Sequence, residues 1–202
     1  MEDVLELYQE PYDPAYPVVC SDESPYQLVS EVRTPIPAQS GQPARIDYEY
    51  KREGTCNLFL LFEAQRGWRH VDVTPQRTAL DFAQQMRELV DVHYPKATLI
   101  TVVLDNLNTH TPAALYEAFP PAEARRILYR LEFRYTPKHG SWLNMAEVEF
   151  AVIRGQCLDQ RIATMATVRR KVAGWQARRN AAKATVNWRF TTDKAREKLH
   201  RL

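Results

Sequence analysis

No stretch of this 202-residue sequence approaches the run of about 18 uninterrupted apolar residues that marks a membrane-spanning helix. The N-terminus, MEDVLELYQEPYD, has acids where an export signal starts with basic residues, and no apolar segment follows. Cysteine is scarce. Cys20, Cys56 and Cys157 are an odd number at long spacings with no Cys-x-x-Cys, which excludes a disulfide framework and a cysteine zinc site and predicts buried thiols in a cytoplasmic protein. The five histidines form no His-x-x-His or His-Glu-x-x-His arrangement. Six glycines and 13 prolines show no low-complexity pattern, and no internal repeat is visible. What the chain does have is 45% apolar and 26% charged residues, enough to bury the core of one compact domain.

The net charge of +2 conceals a lopsided distribution. Arg154 to Leu202 carries 13 Lys or Arg against 3 Asp or Glu, while Met1 to Ile153 carries 14 against 22. An acidic body with a basic tail points to a polyanion partner, or to a solvated helix face.

Residues 1–16 are acidic, proline-punctuated and without periodicity, so they read as a linker or arm. Pro17 to Cys20 is a short apolar run ending at Ser21-Asp22-Glu23, the pattern of a first buried strand. Arg45 to Lys51 alternates, Arg52 to Thr55 reads as a turn, and Cys56 to Phe62 as the second arm of a hairpin. Trp68 to Val73 adds a third strand. From Thr78 the period lengthens through Leu80, Ala83, Met86, Val90 and His93, an amphipathic helix stopped by Pro95. Leu99 to Leu104 is continuously apolar and β-branched, as in a strand covered on both faces. Short helices over Pro112–Phe119 and Ala122–Tyr129, a strand over Leu131–Tyr135, a helix capped by Asn144, and a later helix with Met165, Val168, Val172 and Trp175 on one stripe complete the pattern. The class is α/β, a mixed sheet of about five strands flanked by helices, with 17–160 as the main body and 161–202 as a basic helical extension packed on it.

Three acids sit where functional residues collect: Asp22 at the end of the first strand, Asp105 at the end of the apolar strand, and Glu147 in the first turn of a helix after a loop. Hard divalent cations need oxygen ligands, and two such ions about 3.5–4 Å apart clamp the attacking and leaving oxygens of phosphoryl transfer. Singly, each acid has an ordinary use as a turn former or helix N-terminal residue.

Their surroundings are more specific. Val103-Leu104-Asp105-Asn106, with His110 shortly after, and Ser141-Trp142-Leu143-Asn144-x-x-Glu147 resemble the catalytic blocks of acidic-triad (DDE) transposases, in the bacterial insertion-sequence branch related to mariner elements. Cys20-Ser21-Asp22-Glu23, Pro35-Ile36-Pro37, Gly67-Trp68-Arg69-His70 and Asn187-Trp188-Arg189-Phe190 extend the likeness over nearly the whole chain. The resemblance implies a ribonuclease H-like fold, with Asp22, Asp105 and Glu147 as catalytic residues holding Mg²⁺ or Mn²⁺, two ions when DNA is bound. Between the acids lie 82 and then 41 residues, the second interval somewhat longer than in many mariner relatives, so Glu147 rests on its motif more than on its spacing.

Glu149 rivals Glu147, but two residues along a helix turn a side chain by roughly 200°, so both cannot face one site. Glu23 points opposite Asp22 if the strand continues, and Asp47 lacks a strand-end position. Lys138, His139 and Arg134 near the third acid, and Arg169, Arg170, Arg178 and Arg179 on the later helix, are candidate phosphate contacts. Asn106, His110 and Asn144 are supporting residues.

The implied activity is metal-dependent DNA strand cleavage and strand transfer. The implied partners are DNA, as transposon ends and target, and a second copy of the chain; too few residues precede Asp22 to hold a helix-turn-helix module, which leaves open a catalytic-domain fragment, a split or decayed frame, or a separately encoded helix-turn-helix subunit. The expected location is the cytoplasm, associated with the nucleoid when DNA is bound. A non-catalytic DNA-binding remnant that regulates an intact transposase, and a different ribonuclease H-like nuclease, are the alternatives.

Overall fold

The computed structural model describes residues 1–199, so the last three residues of the basic extension, 200–202, lie outside the described residues. Five strands, β1 Val18–Glu31, β2 Tyr50–Glu63, β3 Trp68–Thr74, β4 Ile100–Leu104 and β5 Leu131–Tyr135, form one sheet in the order β3-β2-β1-β4-β5. The first three are antiparallel neighbours; β4 and β5 run parallel to β1. The expected mixed sheet flanked by helices is what the chain forms.

Each face of the sheet has its own core, as period-two alternation requires. Leu58, Leu60 and Phe62 of β2 point to the face covered by α5 (Met145–Ile153) and α6 (Met165–Ala181), together with Phe150, Val168, Val172 and Trp175. Leu61 of β2, with Val102 and Leu104 of β4, points to the face covered by α2 (Ala79–Glu88), α3 (Pro112–Ala118) and α4 (Pro121–Leu128). The continuous apolar run of β4 is buried at all five positions because helices cover both its faces. Thr78 caps α2 in a reciprocal capping box with Asp81, and the helix continues into a π-helical turn, Leu89–His93, before Pro95.

Three expectations need correction. The first strand does not end at Asp22: β1 runs on to Glu31, because β2 pairs with it along that length. Pro25 is tolerated there since β1 has no parallel partner beyond Cys20, leaving one edge without ladder bonds to donate. The turn expected at Arg52 to Thr55 is instead an irregularity within β2, where the register slips between Leu28 and Val29 and Gly54 takes φ +108°. Residues 45–49 are accordingly not the first arm of a hairpin; they belong to the exposed connection between β1 and β2, bridged only at Ile36↔Arg45 and Gln39↔Gln42.

The third correction concerns residues 1–16. Glu2–Leu7 forms a helix, α1, whose Val4 and Leu5 are buried in the main core; six residues are too few for a periodic signal to show. Tyr8 follows, and its hydroxyl donates to the Leu143 carbonyl at 2.8 Å, bracing the loop before α5. Trp188 packs edge-on against Tyr8 at 5.3 Å between ring centroids, so the segment leading to α7 (Thr192–Leu199) closes over the same place. Gly67, at φ +68°, is required twice over: a Cβ there would come within 2.5 Å of the Lys183 backbone, where the chain leaves α6. None of the described helices is long and apolar enough to cross a membrane.

Candidate active site

β1 and β4 pair in parallel from Val18↔Thr101 to Cys20↔Val103. Asp22 and Asp105 each lie two residues beyond that last pair, so they stand at one level, Asp22 within β1 and Asp105 just past the end of β4. Cys20 and Val103 both pack into the core beneath α5, and the period of two puts Asp22 and Asp105 on that same face. Glu147 arrives from α5. Asn144 caps this helix, accepting from the Ala146 N–H at 3.1 Å, while its side-chain amide donates to the Ser21 carbonyl at 2.8 Å. One buried side chain thus starts the helix and fastens it beside Asp22. Asn144→Ala is expected to lower stability by about 2 kcal/mol, roughly 1 for the cap and 1 for the buried bond to Ser21, measurable by urea denaturation.

Asp22, Glu147 and Arg154 line an open groove of about 320 Å³; Asp105, Asn106, Lys138 and His139 line another of about 440 Å³. The acids act on one another. Burial raises the Asp22 carboxyl, and the negative charges of Glu23, Asp105 and Glu147 raise it further, to about 7, although the Glu23 N–H bonded to it at 2.8 Å favours the charged form. Burial and the repulsion among these carboxylates both favour a proton here, and a divalent cation among hard oxygen donors would relieve the same charge. Among the described residues the three acids are not gathered with all their donor atoms within 4.8 Å of one another.

Glu149 is settled by its surroundings. It is fully buried, and its carboxylate meets Arg69 Nε at 2.9 Å and Arg179 Nε and Nη2 at 3.1 Å. The Arg69 Nε contact is an ion pair without hydrogen-bond alignment, whereas Arg179 makes a two-pronged hydrogen-bonded pair. Glu147, two residues earlier, is exposed on the groove.

His110, expected as a supporting residue, links both faces of the sheet edge. Its Nδ1 lies 2.6 Å from Asp105 Oδ1 and its Nε2 2.7 Å from Glu23 Oε1. Burial opposes its charge, but the hydrogen bonds and charges of these two carboxylates win and hold it protonated, up to about 10. Glu23, the rival for the first acid, faces away from Asp22 and is joined through His110 to Asp105. Because the folded state binds this proton more tightly than an ordinary imidazole of about 6.5, the stabilisation is complete below about pH 6.5 and is lost as pH rises towards 10. The loss of stability of wild type between pH 7 and 10 should accordingly be shallower in His110→Gln, as read by thermal melts at each pH. Asp22, also raised, works in the same sense at lower pH, between about 4 and 7.

The candidate phosphate contacts divide. Lys138 and His139 are exposed beside Asp105. Arg170 and Arg178 are exposed on α6, with no ion-pair partner among the described residues. Arg169 instead donates twice to the Val73 carbonyl, Arg179 is held by Glu149, and Arg134 pairs with Asp3 and Glu132. Asp47, the other rival, lies in the β1–β2 connection, paired with Arg33. Arg154 belongs to none of the motifs that single out the other site residues, although it follows Glu147 by seven residues, two helical turns along one face. It lines the Asp22 and Glu147 groove and donates to Ser24 Oγ.

Residues 17–169 match the family model of the DDE superfamily endonucleases. The chain belongs to that superfamily. None of the curated proteins matches it. Among solved structures, the Mos1 mariner paired-end complex with Mn is similar at 18% identity and a TM-score of 0.62, over 91% of this chain and 54% of that one. The Mos1 strand transfer complex gives 18% and 0.60 over 91% and 55%; a pre-cleavage Mos1 transpososome gives 16% and 0.59 over 93% and 61%. This DDE superfamily chain thus spans little more than half the length of the Mos1 chains it resembles, and shares with them a ribonuclease H-like fold.

Proposed function

We propose that this chain is the catalytic domain of a transposase, cleaving DNA strands at transposon ends and joining them to a target. What supports the reading most is that Asp22 and Asp105 stand at one level on two parallel-paired strands with Glu147 on a helix capped against Ser21, in surroundings where burial first, and the charges of Glu23, Asp105 and Glu147 after it, raise Asp22 to about 7. Water in the first step, and a DNA 3′-hydroxyl in the second, attacks a phosphodiester; each step exchanges one P–O bond for another, with no redox change. The three acids would hold Mg²⁺ or Mn²⁺, two ions when DNA is bound, and these supply Lewis-acid polarisation of the phosphate. The cation is expected to bind weakly alone and more firmly with DNA, since Mg²⁺ uses substrate phosphates to complete its shell.

The remaining residues position the reacting groups. His110 and Glu23 fix Asp105, and Asn144 fixes Glu147 against β1. Arg154, Lys138 and His139 line the two grooves at the acids, Arg154 and Lys138 supplying positive charge and His139 a ring N–H for the backbone on either side. Arg170 and Arg178 extend that positive surface along α6. Replacing these two arginines with alanine should weaken binding to all DNA sequences alike and reduce the slope of log affinity against log salt by about 1 for each phosphate no longer neutralised, with the melting temperature unchanged. Arg169→Ala and Arg179→Ala should instead lower the melting temperature. Fluorescence-anisotropy salt titrations beside thermal melts separate the two pairs.

Nicking of supercoiled or end-containing duplex DNA by the purified chain with Mg²⁺ tests the reading. Cleavage that requires all three acids supports it. Tight, salt-dependent binding with no cleavage under any divalent ion would favour a regulatory remnant, and preferential cleavage of RNA–DNA hybrid would favour another ribonuclease H-like nuclease.

A further inference from the structure

On the sheet face opposite the acid triad, three donor groups converge that the reaction does not use. His70 projects from the edge strand β3, Glu88 is the last residue of α2, and His93 ends the π-helical turn. One donor atom from each lies within 4.8 Å of the others, the only such trio of His, Cys, Asp or Glu among the described residues. The local backbone brings this about. In a continuous α-helix, positions 88 and 93 would point about 140° apart. The wider π turn, closed by the Tyr94 N–H to Leu89 carbonyl bond at 2.9 Å, returns residues five apart towards one face, so both meet β3.

We propose that His70, Glu88 and His93 bind a divalent transition-metal ion of the zinc type, at a site separate from the one that holds Mg²⁺ or Mn²⁺. Two imidazoles and one carboxylate are a donor set for Zn²⁺ or its neighbours, not for Mg²⁺, which takes oxygen ligands. The rings of His70 and His93 lie 4.4 Å apart between centroids, and His93 Nε2 is buried with no hydrogen-bond partner among the described residues. One ring nitrogen of His93 is among the converging donors, and no other group competes for its Nε2. Trp68 lies parallel to His70 and 5.0 Å from His93, forming an apolar wall that holds both rings in place. Burial keeps both imidazoles below their ordinary range, at His70 against the opposing charges of Asp72 and Glu88 and at His93 with the added effect of neighbouring His70, which takes His93 down to about 4, so they are neutral and able to ligate at pH 7. A tetrahedral ion with bonds of about 2.1 Å spaces its ligands about 3.4 Å apart, which modest side-chain rotations reach from the present arrangement. With three protein ligands the fourth position stays open to water, and the ion would fasten the end of α2 to the sheet edge.

Titration of the full chain with Co²⁺, followed by its visible d–d absorption and by displacement with Zn²⁺, tests the proposal. One equivalent should give an intense band characteristic of four- or five-coordinate cobalt, and Zn²⁺ should raise the melting temperature. His93→Gln and His70→Gln should each weaken Co²⁺ binding at least tenfold. Glu88→Gln, at a half-exposed helix end, provides the same test with less risk to folding. Asp105→Asn should leave the band unchanged. No band in wild type, a band undiminished in all three ligand variants, or a band lost in Asp105→Asn would overturn the assignment.

Discussion

Replacing Asp105 with asparagine should reduce strand nicking about a thousandfold or more while leaving DNA affinity equal to or slightly above that of wild type. Lewis-acid stabilisation of a phosphoryl transition state contributes several kcal/mol, and each 1.4 kcal/mol is a factor of ten in rate. Asparagine keeps the size of the side chain and one oxygen, so the loss reports the charge that holds the ion. Asp105 is also the acid held by His110, and its neutralisation leaves that buried imidazolium with Glu23 alone. The same substitution relieves the repulsion on Asp22 but removes one partner of the His110 imidazolium, effects of opposite sign on folding, so the melting temperature of the metal-free variant at pH 8 should change far less than its activity. Loss of activity out of proportion to any change in stability is the signature expected of a residue placed for chemistry. Single-turnover nicking of end DNA, run beside anisotropy binding and thermal melts, reads all three quantities.

Glu149→Ala should do the reverse, destabilising the protein by about 3–5 kcal/mol, because removing one partner of a buried pair strands the other charge. Arg69 is fully buried, and its remaining bonds are to the Gly67 and Ala184 carbonyls and to Asn180, which cannot neutralise it. These bonds tie together β3, α5, α6 and the segment after α6, so the damage should spread beyond one helix. Glu149→Leu combined with Arg69→Met should recover much of the loss, since apolar residues of similar volume often replace a buried pair at little cost. Urea denaturation of the single and double variants measures the coupling. If Glu149→Ala instead abolished nicking with stability intact, the third acid would have been placed two residues too early.

The contrast between Glu147 and Glu149 shows how far the sequence carries. Helical rotation alone says that only one of them can face the site, and the Ser-Trp-Leu-Asn block selects Glu147, but nothing local reveals that Glu149 has Arg69 and Arg179 waiting for it 80 and 30 residues away. The same limit explains Arg169 and Arg179, which look like surface cations in a basic stripe until β3 and α5 are packed against them. Strand ends are equally non-local: β1 continues past Asp22 because β2 pairs with it, and the turn-like Arg52-Glu53-Gly54-Thr55 becomes a bulge once that partner is present. What is legible is what short periodicities encode, namely the buried β4 run with Asp105 after it, the capped α2, and the capped α5 with Glu147 in its first turn. The α1 helix has six residues, less than two turns, and its burial depends on Tyr8 and Trp188 meeting over the loop before α5.

The most direct test of the central claim is anomalous diffraction from crystals of the wild-type chain bound to end DNA in Mn²⁺. Manganese peaks should lie between the carboxylates of Asp22, Asp105 and Glu147, with Glu149 still paired to Arg69 and Arg179. Peaks confined to other residues, or an Asp22 carboxylate turned away from Asp105 with DNA in place, would contradict it.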